Sequence, residues 1–444
     1  MFNVFSISKK EKKMIVCKFG GSSVADAVQI SKTQAIVKAN PDRRIVVVSA
    51  PGKRDKEDDK ITDLLYKCHN LASNDKDITA VWDKIRNRYL QIAAVLDITS
   101  DLKEELITIK SHMMDKCSPD YAASRGEYLN AKLISLYFGF EFLDSAKVIR
   151  IGEHGEILPE TYDLIKANVD PSKKYVVPGF YGLGPDGNIK TFSRGGSDIT
   201  GSIYAKALAA DIYENWTDVS GTYTCDPRIT ANARPVPEIT YKEMREMAYL
   251  GANVFHEEAI APARQANITI NIKNTNAPDE SGTFINSRRD SSRDPVVGIA
   301  GKRRFRRITI EKYKLEDMHD LHLQLKKELG ALGLIISFEL KGIDTLNFYV
   351  KDENMIDWDD LTSRLKANLG IEKVSYASGI AIVGIIGEGL AGSFKPLFKI
   401  LAALTEAGID IDNLNYGGSP ISAVMAIADS SYEKAMDIIA SVIA

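Results

Sequence analysis

Lys18-Phe19-Gly20-Gly21-Ser22-Ser23-Val24 follows a short β-branched run, Met14-Ile15-Val16-Cys17, and precedes a stretch with helical spacing. Adjacent glycines at a strand-to-helix turn let bare backbone approach a ligand, and the start of a helix offers its amides to an anion. Lys18 adds a positive charge at the same mouth, so the segment points to phosphate binding; a tight turn with a surface lysine is the plainer alternative. Its spacing fits neither a Walker A loop nor the dinucleotide fingerprint. Ser193-Arg194-Gly195-Gly196-Ser197-Asp198 repeats the arrangement ahead of an Ala-rich helical stretch, Thr200 to Ala210. Arg194 has the planar fork that clamps a carboxylate or phosphate. Asp198 is unfavourable near an anion unless it holds a lysine or orients Mg2+; the alternative is a helix N-cap. A third segment, Trp216 to Arg228, leaves a strand without helical period, where ligands sit in open α/β sheets. Thr217, Asp218, Tyr223 and Arg228 could meet a nucleotide there, or form an ordinary polar loop with an Asp-Pro turn.

The elements that position these segments follow from periodicity. Met14 to Cys17 and Ile45 to Val48 flank a helical pattern through Val28, Ile30, Ile36 and Val37, which makes a βαβ unit and implies a parallel sheet covered on both faces. Long helical patterns run from Thr62 to Cys117, and strands are expected at 175–177, 211–216 and 268–272. This predicts a three-layer α/β/α domain with a mostly parallel sheet over residues 14–300. Beyond Arg307 two cycles of βαββαβ type follow, over 308–375 and 380–444, each the ferredoxin-like plan. Gly408 suits a helix stop, as do Gly330 or Gly333. The charged stretch Gly52 to Lys60 reads as a mobile flap or a solvated loop, the loop being preferred.

Composition excludes several classes. Of 444 residues, 44% are apolar and 26% charged, the proportions of a globular protein, and no apolar run reaches membrane-span length. Met1 to Lys13 lacks the apolar core of a secretory signal. The net charge of −3 argues against general nucleic-acid binding; the basic run Lys302 to Arg307 is read as a solvated linker strand. Cys17, Cys68, Cys117 and Cys225 form no C-x-x-C pair, which fits reduced thiols of a cytoplasmic protein without a metal cluster. His319 and His322 share a helix face without a third ligand and are read as surface residues.

Taken together, the segments resemble the aspartokinases. The family's opening Lys-Phe-Gly-Gly-(Ser/Thr)-Ser-Val stands at 18–24, its Ser-Ala element at 49–50, Thr62-Asp63-Leu64-Leu65 matches its Thr-x-Leu-Leu, and Ser-Arg-Gly-Glu lies at 124–127. Arg-Gly-Gly-Ser-Asp lies at 194–198 and Thr-Asp-Val-x-Gly-x-Tyr-x-x-Asp-Pro-Arg at 217–228. The two C-terminal cycles look like the family's paired ACT domains, and the homoserine dehydrogenase fused to some relatives is absent from the sequence.

The resemblance implies an amino-acid-kinase fold and transfer of the γ-phosphoryl group of ATP, with Mg2+, to the β-carboxylate of aspartate. It implies that Lys18 bridges the phosphates and that Gly20, Gly21 and Ser22 line them. Glu127 would meet the substrate ammonium, Arg194 its α-carboxylate, and Ser49 and Thr62 would line its pocket. Asp198 would organise Lys18, and Thr217, Asp218, Tyr223 and Arg228 would hold the nucleotide. Asn253 stands where some members carry a nucleotide-touching lysine. An acceptor already ionised at pH 7 needs no general base, so catalysis reduces to positioning and charge stabilisation. ACT domains imply feedback by an end-product amino acid, lysine ahead of threonine, and a homodimer or dimer of dimers. Candidate effector contacts are Met318, Asp320, Ser337, Glu339 and Asp344. Two rivals stand beside this reading: another amino-acid kinase, for glutamate or acetylglutamate, and a catalytically silent amino-acid sensor.

Overall fold

The computed structural model describes residues 13–98, 102–193, 195–252, 257–314, 319–352 and 356–443. These residues fall into two compact units. The first lies within Met1–Thr222, Pro235–Tyr241 and Phe255–Arg289, the second within Tyr223–Arg234, Lys242–Val254 and Asp290–Ala444.

Among the described residues the first unit is built on an eight-stranded sheet. The order across it is Glu238–Thr240, Thr283–Asn286, Thr269–Asn274, Ile212–Thr217, Ile15–Phe19, Arg43–Val48, Tyr175–Pro178, Glu141–Phe142. Neighbours are parallel except Thr269–Asn274 with Thr283–Asn286. The central strands are buried on both faces, which is why they read as continuous β-branched runs rather than as alternation. Alternation still decides direction. Cys17 and Phe19 join the apolar core with Val46, Val48, Trp82, Leu129 and Leu133, while Lys18 points to the other face. Burying each large apolar side chain contributes roughly 2 kcal/mol.

The long helical pattern over 62–117 resolves into Ile61–Ser73, Thr79–Val95 and Leu102–Met114. A further helix, Pro119–Phe138, carries the Ser-Arg-Gly-Glu segment. Its start is set by Ser118, whose hydroxyl accepts from the Tyr121 N–H at 3.1 Å, and by Pro119; Gly139 ends it at φ 69°.

In the second unit a six-stranded antiparallel sheet runs Ile336–Lys341, Thr345–Lys351, Gly298–Glu311, Lys373–Ile386, Ser422–Ala428, Ile411–Ser419. Its two central strands are shared by both ferredoxin-like modules. Ile308 and Ile310 enter one core with Leu325, Phe348 and Leu361, whereas Ile299, earlier on the same strand, enters another with Val383, Leu397, Met425 and Ile439. The handover falls at irregularities on the two strands, Arg304 at φ 62° and Gly379 at φ 68°, flanking the Phe305–Ile380 pair. One module is therefore nested inside the other, and the second draws its fourth strand from 298–302 rather than lying wholly in 380–444.

The basic run corrects the linker reading. Lys302–Arg307 is interior strand, with Phe305 fully buried between its paired neighbours. Arg303 binds Asp429 at 2.8 Å and Glu433 at 3.0 Å, Arg306 binds Asp352 at 2.9 Å, and Arg307 binds Asp412. Gly408 and Gly333 take positive φ after their helices, while Gly330 lies inside its helix. Among the described residues no helix is long and apolar enough to cross a membrane.

Candidate active site

At the carboxyl end of Ile15–Phe19 the chain enters a single 3-10 turn, Gly21–Val24; the α-helix begins only at Ala27, capped by Asp26, which accepts from the Gln29 N–H at 2.9 Å. The glycine turn is thus not the α-helix start that its sequence suggests. Bare backbone is nevertheless needed there. The Gly52 N–H donates to the Gly21 carbonyl at 2.9 Å, and a Cβ on Gly52 would lie 2.6 Å from the Gly21 carbonyl carbon. The Gly20 N–H donates to the Trp216 carbonyl at 3.0 Å, tying this turn to the end of Ile212–Thr217.

The second glycine segment opens helix Gly196–Ala207, with Gly195 at φ 58°. Asp198 in its first turn does not cap the helix. Its Oδ1 receives the Lys18 ammonium at 2.7 Å and the Asn215 Nδ2 at 2.6 Å. Lys18 is 8% exposed, so the ammonium sits in a partly dry setting where each charge interaction is stronger than in water.

Lys18, Ser49, Thr62, Glu127, Gly195, Gly196, Ser197 and Asp198, with Phe180, line one cavity of about 250 Å3. Five residues chosen from sequence therefore converge: Lys18, Ser49, Thr62, Glu127 and Asp198. Glu127 reaches it from the buried helix Pro119–Phe138; Gly126 beside it packs against Ala50, where a Cβ would approach to 2.7 Å. Desolvation pushes the Glu127 carboxyl up to about 8, opposed by hydrogen bonds from the Ala50 backbone and its own, then by Arg125. Its Oε2 has no hydrogen-bond partner. An ammonium entering the cavity would supply both a donor and the missing countercharge. Arg125 itself turns away, stacked on Tyr121 and Tyr128 at 4.5 Å each.

Loop 51–60 has no regular structure, as expected, but it is anchored rather than loose. Buried Arg88 donates to the Gly52 carbonyl at 3.1 Å and to both oxygens of Asp58 at 2.6 and 2.5 Å. Hydrogen bonds from Arg54, opposed by burial and reinforced by the charge of Arg88, hold the Asp58 carboxyl far below the usual range.

Thr217 ends its strand with its hydroxyl on Asp218 at 3.1 Å, and Asp218 is exposed. Tyr223 and Arg228 belong to the second unit; Arg228 lies in solvent, bidentate on Asp226, its Nη2 at 2.6 Å. Arg194, Asn253 and Met318 lie outside the described residues. Of the other candidate effector contacts, Asp320 is exposed in the first turn of its helix. The Ser337 carbonyl accepts from the Tyr249 hydroxyl at 2.7 Å, Glu339 pairs with Lys326 at 2.8 Å, and Asp344 accepts from the Lys314 N–H at 2.8 Å. His322 is half exposed and meets Glu339 at 3.2 Å.

Sequence reasoning missed Asn215, Phe180 and Asn130. Asn130 donates to the Ser49 carbonyl at 2.7 Å, one helical turn beyond Glu127. That i, i+3 spacing on one helix face was the available signal; Phe180, at φ 81°, had none.

The amino acid kinase family model matches residues 13–274. Aspartokinase 3 of Bacillus subtilis is 35% identical over 95% of this chain and 97% of its own length. The crystal structure of Clostridium acetobutylicum aspartate kinase superposes with a TM-score of 0.92 at 37% identity, covering 97% of this chain and all of that one. Escherichia coli aspartokinase III, solved in complex with lysine and aspartate, shares the fold with a TM-score of 0.78 at 24% identity over 96% of this chain and 99% of its own. Likeness of this extent along nearly the whole length, on a glycine-turn cavity with its lysine and acidic residues in place, means that the chain belongs to the aspartokinase family.

Proposed function

We propose that this chain is a feedback-regulated aspartate kinase, transferring the γ-phosphoryl group of ATP to the β-carboxylate of L-aspartate to give 4-phospho-L-aspartate and ADP. The observation that carries the reading is the convergence of Lys18, Asp198, Ser49, Thr62 and Glu127 on one cavity beside two glycine turns. A carboxylate and a triphosphate repel, by about 1 kcal/mol per pair of unit charges at 4 Å in water and by several in a drier site. Lys18 and the amides of Gly21 and Ser22 offset that repulsion where the anions meet, and Gly20, whose own N–H is held by the Trp216 carbonyl, lines the phosphates with bare backbone. A carboxylate oxygen attacks the γ-phosphorus, the bond to the bridging oxygen breaks, and ADP leaves with the electron pair. The attacking carboxylate carries no proton, so none has to be removed.

Glu127 takes the substrate ammonium, Ser49 and Thr62 line the pocket, and Arg194 takes the α-carboxylate. Thr217, Asp218, Tyr223 and Arg228 hold the nucleotide, with Asn253 in place of a lysine. Among the described residues no group of three histidine, cysteine or acidic side chains could hold a resident metal. Mg2+ fits as an ion carried on the nucleotide phosphates, where it neutralises oxygen charge. The ferredoxin-like modules take the effector, with Met318, Asp320, Ser337, Glu339 and Asp344 as contacts. Lysine is placed ahead of threonine, in keeping with the Escherichia coli protein solved with lysine. The assembly is a homodimer or a dimer of dimers.

ADP release measured with aspartate, glutamate and N-acetylglutamate tests the reaction. Aspartate alone should support turnover, and added lysine should lower it. Equal or better turnover with either other acceptor, or none with aspartate, overturns the assignment; indifference to both lysine and threonine removes the feedback claim.

A further inference from the structure

Asn215 stands directly opposite Lys18 in the parallel register of Ile15–Phe19 and Ile212–Thr217, and both side chains face helix Gly196–Ala207. It is 2% exposed. Its Nδ2 donates to Asp198 Oδ1 at 2.6 Å, the same oxygen that holds the Lys18 ammonium at 2.7 Å. A second donation goes to the Tyr213 hydroxyl at 3.3 Å, and that hydroxyl donates to the Asp198 backbone carbonyl at 3.1 Å. Tyr213 and Asn215, two residues apart on one strand face, thus hold the first turn of the helix by both carboxylate and backbone. The ring of Tyr213 packs closely there, since a Cβ on Gly201 would lie 2.6 Å from it.

We propose that Asn215 is a positioning residue for phosphoryl transfer, fixing the Asp198 carboxylate and through it the Lys18 ammonium. This rests on the aspartate kinase reading above. A lysine on a flexible stem is a point charge with several rotamers, and one carboxylate partner does not define its direction. A second donor on the same oxygen does two things. It locks the carboxylate plane, and in doing so it fixes the direction along which the Lys18 ammonium is held. Asn215 lines none of the cavity, so the effect belongs to turnover rather than to substrate affinity.

The charged and titratable groups around Asn215 are Lys18 from one neighbouring strand, Asp198 from the helix and Tyr213 from its own strand; the other neighbour, Thr269–Asn274, places Ile272 opposite it. Asn215→Leu keeps the heavy-atom count and the branching of the side chain and removes the donor. Its kcat should fall about tenfold or more, as for loss of a hydrogen bond to a charged group, with both KM values within about twofold. Asn215→Asp adds a pH signature. When protonated, the introduced carboxyl group can still donate to Asp198; once ionised it repels Asp198. The kcat deficit of this variant relative to the parent should therefore be smallest at acid pH and widen as pH rises. Turnover is normalised to active sites by nucleotide-binding stoichiometry, so a merely structural role, which lowers the folded fraction, leaves kcat in place. A kcat for Asn215→Leu within twofold of the parent, or a pH-independent deficit for Asn215→Asp, overturns the proposal. A parent without aspartate-dependent turnover instead overturns the aspartate kinase reading.

Discussion

Glu127 presents a buried carboxyl group to the cavity, and its elevated proton affinity has consequences for stability as well as binding. Folded, the group titrates near 8; unfolded, near its ordinary value of 4.5. Between these the native state binds more protons than the unfolded one, so the contribution of Glu127 to stability is fully present below 4.5 and is lost as pH rises toward 8, on the order of a few kcal/mol. Glu127→Gln stays neutral at every pH. Calorimetry should find this variant melting above the parent at pH 8, with the gap closing as pH falls to 5, while aspartate-dependent turnover drops at least a hundredfold; a lower melting point at pH 8 contradicts the account. Lys18→Ala should cost roughly a hundredfold in kcat, about 3 kcal/mol, by loss of one preorganised donor; steady-state rates within threefold of the parent would remove its assigned role. Lys18 and Asp198 were legible in the sequence because each lies within two residues of a glycine pair, one before it on a strand and one after it in a helix. Asn215 was not, because a lone asparagine in a strand acquires meaning only from the register that sets it opposite Lys18.

Loop 51–60 has no internal secondary structure, and the buried side chain that anchors it is an arginine in another element, beside the Gly52–Gly21 backbone bond and an exposed pair of Lys84 with Asp59 at 2.9 Å. Arg88 projects from helix Thr79–Val95 and holds Gly52 at one end of the loop and Asp58 near the other. Arg88→Ala would strip a partly buried carboxylate of its buried partner, which costs about 3 kcal/mol, although Arg54 still reaches Asp58 at 3.0 Å. Limited trypsin digestion should then cut faster at Lys53, Arg54 and Lys56 than in the parent. An unchanged rate of cleavage there shows that the anchor lies elsewhere. The sequence disclosed the loop through its charge density, but the side chain that secures it lies 30 residues beyond Asp58 and inside a helix, where nothing in the local pattern marks it. Central strands were foreseen closely, Arg43–Val48 from the apolar run at 45–48, Ile212–Thr217 from 211–216 and Thr269–Asn274 from 268–272. Pro119–Phe138 was not, because it is buried on nearly every side and shows no polar face to reveal its period.

The nested modules make a prediction about the whole chain. Ile299 precedes the inner module in sequence yet belongs to the core of the outer one. Ile299→Ala should destabilise by about 3 kcal/mol and raise amide exchange in Leu397–Leu404 and Ser422–Ala428. Ile308→Ala, on the same strand, should act instead on Thr345–Lys351 and Trp358–Leu369. Exchange that rises equally in both sets for either variant would show a single core. The sequence could reveal two βαββαβ cycles but not their threading, since each half of a shared strand has the ordinary alternation of a strand. The same arrangement governs how the polypeptide is made. Gly298–Lys302 leaves the ribosome long before its partners at 382–386 exist, so it must wait unpaired while the intervening residues are synthesised. If the inner module closes first, it brings Phe305 beside Ile380 and turns a distant encounter into the zipping of two adjacent segments. A defect confined to the inner module would then surface as misassembly of the outer one, in a part of the protein where no residue had changed.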